Sequence, residues 1–253
     1  MLLCLAYTAR GEEIEKDTAK IRNVELNEVV VQSFKQQRDL RLEPLSASAV
    51  TGTAIQNRNI TGIKEFSSFI PNLFMPDYGS KLTSPVYIRG IGSKINAPSV
   101  GLYVDGIPYF EKSAFDFDFN EVDRIEVLRG PQGTLYGRNT MGGIINVYTK
   151  SPLKYEGTNV WLSNGYRNYA LSHYKKIGEK FGYAISGDYR NSDGYFTNLF
   201  TDKKADDMKS GSARIRLEWK PQKNLSFGLM SSFDRSVQGG YPYAVCDSVT
   251  HKP

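Results

Sequence analysis

The residues best suited to chemistry lie between Ile125 and Val147, in IEVLRGPQGTLYGRNTMGGIINV. Glycines 130, 133, 137, 142 and 143 surround the cations Arg129 and Arg138. A cation in a glycine-rich loop is the raw material of a phosphate cradle. That cradle needs Gly-Lys-Ser/Thr at the mouth of a helix, where backbone N–H groups and the lysine meet the phosphates. Here the chain reads Gly-Arg-Asn-Thr and enters a strand-like run instead, which speaks against nucleotide binding. Only two histidines (His173, His251) and two cysteines (Cys4, Cys246) occur, without metal-ligand spacing. No nucleophile, base and orienter triplet is visible. The chemistry therefore points away from an enzyme, a metal site or a bound cofactor.

The elements around this loop decide what it is for. VDRIEVLRG and GGIINVYTK are apolar strands on either side of it. Arg129-Gly130-Pro131 ends the first and turns the chain. Gly133 and Gly137 let the backbone fold back or approach a neighbour, and Gly142 and Gly143 restart it for the second strand. Upstream, SASAVT (46–51) reads as a short strand and 52–58 as a helical turn or two. Thr61 is placed to cap a helix carrying Ile63, Phe66, Phe69 and Ile70 on one face, ended by Pro71. VYIRGIG (86–92) and VGLYVDGIPYF (100–110) read as strands, the second bending at Asp105-Gly106. Phe115, Phe117 and Phe119 alternate with Asp116 and Asp118, as on a strand with one wet face. Residues 44–152 thus form an α+β unit of ordinary domain size.

After Pro152 the texture changes. Phe181, Tyr183, Ile185 and Tyr189 alternate with small or polar residues. Ala213, Ile215, Leu217 and Trp219 alternate with Arg214, Arg216, Glu218 and Lys220, and 225–234 repeats the pattern. Residues 157–166 and 168–177 alternate less cleanly. Each run is near the ~10 residues a tilted strand needs to cross a membrane. IGEK (177–180) and PQKN (221–224) are tight connections, whereas 191–210 is long and polar. Short turns on one side and long loops on the other belong to outer-membrane barrels. A soluble antiparallel sandwich also alternates. The run of charges in 214–220 suits a water-filled lumen better than a sandwich edge.

Composition and the N-terminus set the remaining bounds. The 253 residues carry a net charge of +5 with both signs interleaved, unlike a nucleic-acid-binding tract. No window approaches the ~18 apolar residues of a membrane helix, a test that leaves barrel strands untouched. Residues 1–23 read as a signal remnant or a flexible N-terminus. Residues 24–43 contain VELNEVVVQ, a β-prone island without a strand partner of its own, followed by a charged spacer.

LNEVVVQ, VYIRGIG, VGLYVDGIPY and VDRIEVLRGPQGTLYGRNTMGGIINVYTKSP, in this order, resemble the plug region of TonB-dependent outer-membrane receptors. The resemblance covers about residues 25–235, and the 122–152 block is its specific part. It implies an α+β plug domain (44–152) followed by antiparallel transmembrane β-barrel strands (153–253, about five), an incomplete barrel. The plug motif comprises Arg89, Gly90, Asp105, Gly106, Glu126, Arg129, Gly130, Pro131, Gly133, Tyr136, Gly137, Gly142 and Gly143. Arg89 and Arg129 would meet partners on the barrel wall in an ionic lock, with Glu126 or Asp105 as local alternatives, because buried arginine is costly unless paired.

The resemblance also implies partners. Leu26, Asn27, Glu28, Val29, Val30 and Val31 would form the TonB box, adding as a strand to the periplasmic energy-transducing complex. Lys94, Asn96, Tyr109 and Phe110, on outward loops, are candidates for ligand contact. The implied activity is energised uptake of a scarce nutrient, a ferric siderophore first, with cobalamin, haem or a glycan as alternatives. The setting is a Gram-negative outer membrane, the plug and N-terminus on the periplasmic side, with membrane lipid around the strands. Five strands do not close around a 110-residue plug, so the sequence reads as an N-terminal portion. A non-transporting fragment or a soluble plug-like binding module is the alternative.

Overall fold

The computed structural model describes residues 30–33, 36–39, 46–76, 84–93, 97–115, 119, 121–163, 167–198 and 201–240. β1 (Val30–Ser33) pairs with β2 (Gln36–Asp39) in an antiparallel hairpin. The island is therefore not a lone strand: the supposed spacer supplies its partner. Leu26 to Val29, Lys94, Asn96, Cys4 and Cys246 lie outside the described residues.

The α+β unit starts with β3 (Ser46–Thr51) and α1 (Gly52–Asn57), whose first turn is capped by Thr51 Oγ1 accepting from Ala54 N. In α2 (Ile63–Ser67) the N-cap is Gly62, without a side-chain bond, and not Thr61. Ile63, Phe66 and Ile70 are buried as expected, but Phe69 is exposed and lies under Arg58. The helix ends at Ser67, so Phe69 has left its apolar face.

VYIRGIG is not one strand. β4 (Leu73–Phe74), β5 (Tyr87–Ile88) and β6 (Ile91–Gly92) make a small sheet, folded at Arg89 (φ 52°) and Gly90 (φ 79°). β7 (Val100–Val104) and β8 (Ile107–Tyr109) join through Asp105 (φ 50°) and Gly106 (φ 83°), again two positive φ values as in a primed hairpin turn. The run of alternating phenylalanines opens on a 3-10 turn, Lys112–Phe115, rather than a strand; Phe115 and Phe119 are both buried in the core, and Phe117 lies outside the described residues.

β9 (Val122–Arg129) and β10 (Gly143–Thr149) complete the main sheet, ordered β3-β9-β10-β7-β8. Only β10 and β7 pair in parallel. One face carries Val100, Leu102, Val104, Ile125, Val127, Ile145 and Val147, packed against Ile55, Ile63 and Phe66 from the helices. The other carries Tyr103, Leu128 and Ile144, continuing into Glu126 and Asn146. β7 is buried along its whole length, which is why it reads as a continuous apolar run.

The loop from 130 to 142 contains a helical turn, α3 (Gly133–Tyr136), that the glycines concealed. Gly143 (φ 144°) is required: a Cβ there would run into the Leu128 carbonyl oxygen. Gly133 is not. Its nearest neighbour to such a Cβ is Thr140 Oγ1 at 3.9 Å, so it is no close-approach position.

The second sheet has five antiparallel strands in chain order. They are β11 (Gly157–Ser163), β12 (Arg167–Ile177), β13 (Phe181–Ser192), β16 (Met208–Gln222) and β17 (Leu225–Gln238). Between β13 and β16, β14 (Thr197–Asn198) and β15 (Lys203–Lys204) form a small hairpin in the long loop. The less regular runs before 178 thus become full strands.

Register shows which way this sheet faces. Val160, Leu171, Gly187, Ala213 and Phe233 lie in one row, and Asn159, Ser172, Ser186, Arg214 and Ser232 in the next, on the opposite face. Apolar side chains point away from the protein: Val160 is 63% exposed, Leu171 55% and Phe233 68%. Asn168 and Ser172 are buried beneath them. This is the inverse of a water-soluble sheet and the pattern of strands with lipid outside and a polar interior.

Candidate functional site

The functional geometry lies where the inner face of β16 meets the α+β unit. Strand alternation puts Arg214, Arg216 and Glu218 on that inner face while Ile215, Leu217 and Trp219 turn outward. Arg216 Nη1 donates to Asp105 Oδ2 at 2.6 Å and its Nε to Glu218 Oε1 at 2.8 Å. It also donates to Thr149 Oγ1. Asp105 is held for this contact by its turn and by Thr149, whose N–H and hydroxyl donate to its two oxygens at 2.9 and 2.7 Å. Arg214 Nη1 donates to Glu121 Oε2 at 2.7 Å.

These ion pairs are mostly dehydrated. The side chains of Arg214 and Glu121 are 13% and 11% exposed, and those of Arg216 and Asp105 19% and 15%. Charges taken this far from water persist only when each finds its partner.

The segment that links the two units is fastened in the same place. Ser151 Oγ donates to Glu218 Oε2, and Lys150 N to the Glu121 carbonyl at 2.9 Å. Tyr155 packs edge-on against Tyr174 at 5.0 Å and donates to Asn159. Pro152 passes so near β13 that a Cβ on Gly182 would lie 2.8 Å from its carbonyl oxygen. The α+β unit is thereby anchored to β12, β13 and β16 near their tight-turn ends.

The arginines of the sequence motif do something else. Arg129 donates to Ser46 Oγ (3.0 Å), Pro71 O (3.0 Å) and Ala47 O (3.3 Å). Burial first, and then the nearby Arg89 charge, hold its pKa below the usual arginine range. Arg89 sits in its turn with its backbone N–H on Asn72 O. The expected local partners are committed elsewhere: Glu126 accepts from Arg124 at 2.8 Å, and Asp105 from Arg216. Among the described residues the charges across the interface run opposite to expectation, carboxylates on the α+β unit and arginines on the strand.

Of the remaining motif residues, Tyr136 meets Tyr103 edge-on at 5.0 Å, and its carbonyl accepts the Tyr103 hydroxyl. Burial pushes both phenols up. Gly130, Gly137 and Gly143 take positive φ in the loop around them, Gly142 lies against Ile91, and Pro131 follows Gly130 after β9. Of the ligand candidates, Tyr109 is half-buried and Phe110 is 40% exposed under the Arg138 guanidinium, 3.8 Å from its ring centre. Glu121, Thr149 and Ser151 escape a reading of the sequence. They are ordinary polar residues at strand ends, and only the folded chain brings them to their partners. Among the described residues no group of three His, Cys, Asp or Glu could hold a metal ion.

Comparison with known proteins agrees with this geometry. Residues 39–144 match the TonB-dependent Receptor Plug Domain family. The pesticin receptor of Yersinia pestis is 33% identical over 126 residues, 49% of this chain and 19% of that receptor. The chain thus spans about a fifth of the length of the curated relatives it matches. The crystal structure of the ferric yersiniabactin uptake receptor from Yersinia pestis aligns with a TM-score of 0.68 at 24% identity, covering 77% of this chain and 32% of that one. The pyoverdine outer membrane receptor from Pseudomonas aeruginosa gives 0.63 at 18%, covering 81% and 30%. Those two structures share the fold, including the strands that follow the plug.

Proposed function

We propose, for a chain that carries a TonB-dependent receptor plug domain followed by a barrel-type sheet, that it works in energised uptake of a ferric siderophore across a Gram-negative outer membrane. The observation that carries this reading is the inside-out sheet whose inward arginines, Arg214 and Arg216, close on plug carboxylates. A sheet with lipid outside and a fastened plug inside is a stoppered pore. The siderophore class is supported by the relatives, which include receptors for ferric yersiniabactin and pyoverdine.

In this reading the outward faces of β11, β12, β13, β16 and β17 meet membrane lipid. The tight turns and the N-terminal segment lie on the periplasmic side. Leu26, Asn27, Glu28, Val29, Val30 and Val31 form the strand that the TonB complex captures, and pulling it loosens the plug. Ligand contact falls to the opposite end of the plug, where Phe110 and Arg138 offer an aromatic face and a cation. Tyr109, Lys94 and Asn96 are the other candidates. No covalent step is required.

The test is a chimera in which residues 24–253 replace the corresponding part of a full-length siderophore receptor. Radioactive iron uptake is measured in iron-starved cells that lack other receptors. Uptake is expected to need the proton gradient and to vanish when 26–31 are deleted. Uptake indifferent to both would refute the reading.

A further inference from the structure

We propose that Arg129 is the latch of the plug's edge strand: it fixes β3 at the end that a pull on the preceding chain reaches first. Among the described residues β3 is an outermost strand of the main sheet, paired with β9 alone. Its residues Ser46 to Val50 are only half-buried, whereas β7, β9 and β10 are covered on both faces over most of their length. An edge strand with so little burial opens more readily than the covered central strands β9, β10 and β7.

The direction of the strands decides where opening starts. β9 begins at Val122, opposite Thr149, from which the chain passes by Ser151 and Pro152 to the tight-turn ends of β16 and β13, and it runs away from there to Arg129. β3 is antiparallel to β9, with Ser46 opposite Arg129 and Thr51 opposite Arg124. The chain therefore enters β3 at the end remote from the tight turns. A pull towards the tight-turn side folds the entering chain back over Ser46. It then stresses the β3–β9 hydrogen bonds one at a time, from Ser46 onward, rather than all together.

Arg129 sits at that starting point. Its guanidinium joins three segments: β3 through Ser46 Oγ and Ala47 O, β9 through its own backbone, and the end of the α2 region through Pro71 O. The acceptors are dipoles, and three donors of one planar cation engage them at once, a geometry a lysine does not reproduce. Beyond Thr51 the chain enters α1, where Ile55 is buried in the core. Peeling that passes the latch is arrested there. Arg129 is a positioning residue: it touches no ligand and acts through β3.

Hydrogen exchange on the purified 253-residue chain in detergent tests the latch. Arg129→Gln is expected to speed exchange of the β3 amides about tenfold, in line with the loss of hydrogen bonds to a charged group. Exchange in β7 and β10 is expected to stay at the parent rate. Arg129→Lys is expected to fall between parent and Arg129→Gln. Ser46→Ala, which removes one acceptor and leaves the charge, is expected to give about a threefold effect confined to β3. It keeps the test available should the Arg129 variants fail to fold. An unchanged β3, or equal acceleration across β7 and β10, would overturn the latch. Its meaning under load rests on the proposed uptake function, but exchange needs neither transport nor partner. Failure of the chimera and failure of the latch are therefore separate results.

Discussion

At the scale of residues, Arg216 is the most consequential side chain described. It bridges Asp105 of the plug and Glu218 of its own strand while nearly dehydrated. Truncating one member of such a set leaves the others buried and unpaired. Arg216→Ala is expected to cost about 3 kcal/mol, at the low end for breaking a buried pair because the groups keep some exposure. Asp105→Asn alone is also expected to destabilise. The double variant Arg216→Ala/Asp105→Asn is expected to lose less than the two changes added together, since neither change then strands the charge of the other residue. Denaturant unfolding, followed by circular dichroism, measures the cycle; strict additivity would mean that the two residues do not interact. The contrast between Arg216 and Arg129 shows what sequence alone can say of an arginine. The motif marks Arg129, and the alternating charges of 214–220 mark Arg216, as places where a cation is wanted. Only the fold tells that one cation crosses to the plug and the other ties the plug to itself.

At the scale of elements, strands with a regular apolar face were legible and their interruptions were less so. β9, β10, β13, β16 and β17 follow directly from alternation or apolar runs. Pairing of VYIRGIG with Leu73–Phe74 was hidden, because two-residue strands have no period. The turn at Arg89 hid too, since positive φ on an arginine leaves no mark in the residue type. The glycines of the 130–142 loop looked alike in sequence. In the fold, Gly143 is locked against Leu128, whereas Gly133 opens a helical turn with room to spare. The long loop between β13 and β16 holds a device of its own. Asp206 accepts from the backbone N–H groups of Tyr195 and Phe196, each at 2.8 Å. Burial alone would raise its carboxyl, but those donors, with its own N–H and the Lys204 charge, bring it below the ordinary value. A folded-state pKa below the unfolded one stabilises the loop fully above the unfolded value of about 3.9, and that gain is lost as pH falls through the folded value. Amide signals of Tyr195 and Phe196 are therefore expected to keep their bonded positions through about pH 4 and to shift only below it. In Asp206→Ala they are expected to lie at the released position at every pH. A transition centred above the ordinary carboxylate range would contradict the nest.

At the scale of the whole molecule, the sequence disclosed two units and their order because their textures differ: apolar strands with helices, then long alternating strands. What joins them was not disclosed, since it consists of Glu121, Thr149 and Ser151 meeting partners 67 to 93 residues away. The second sheet carries a further consequence. It has two edges, β11 and β17, with no strand beyond either among the described residues. In hydrocarbon, each unpaired backbone group on those edges costs several kcal/mol. In water the edges are satisfied, but the outward face then exposes Val160, Leu162, Leu229 and Phe233, each more than 60% accessible. Neither solvent suits the chain by itself. The 253-residue chain is therefore expected to need detergent for solubility and yet to run identically on gels with and without heating. Closing the sheet, as in the chimera with a full-length receptor, is expected to restore heat-modifiable migration and protease resistance of the plug together. Pairing both edges removes the backbone penalty and gives the plug its remaining walls in one step. A heat-modifiable, membrane-extracted species formed by this chain alone would show that the two edges find partners some other way, and the argument from strand closure would fail.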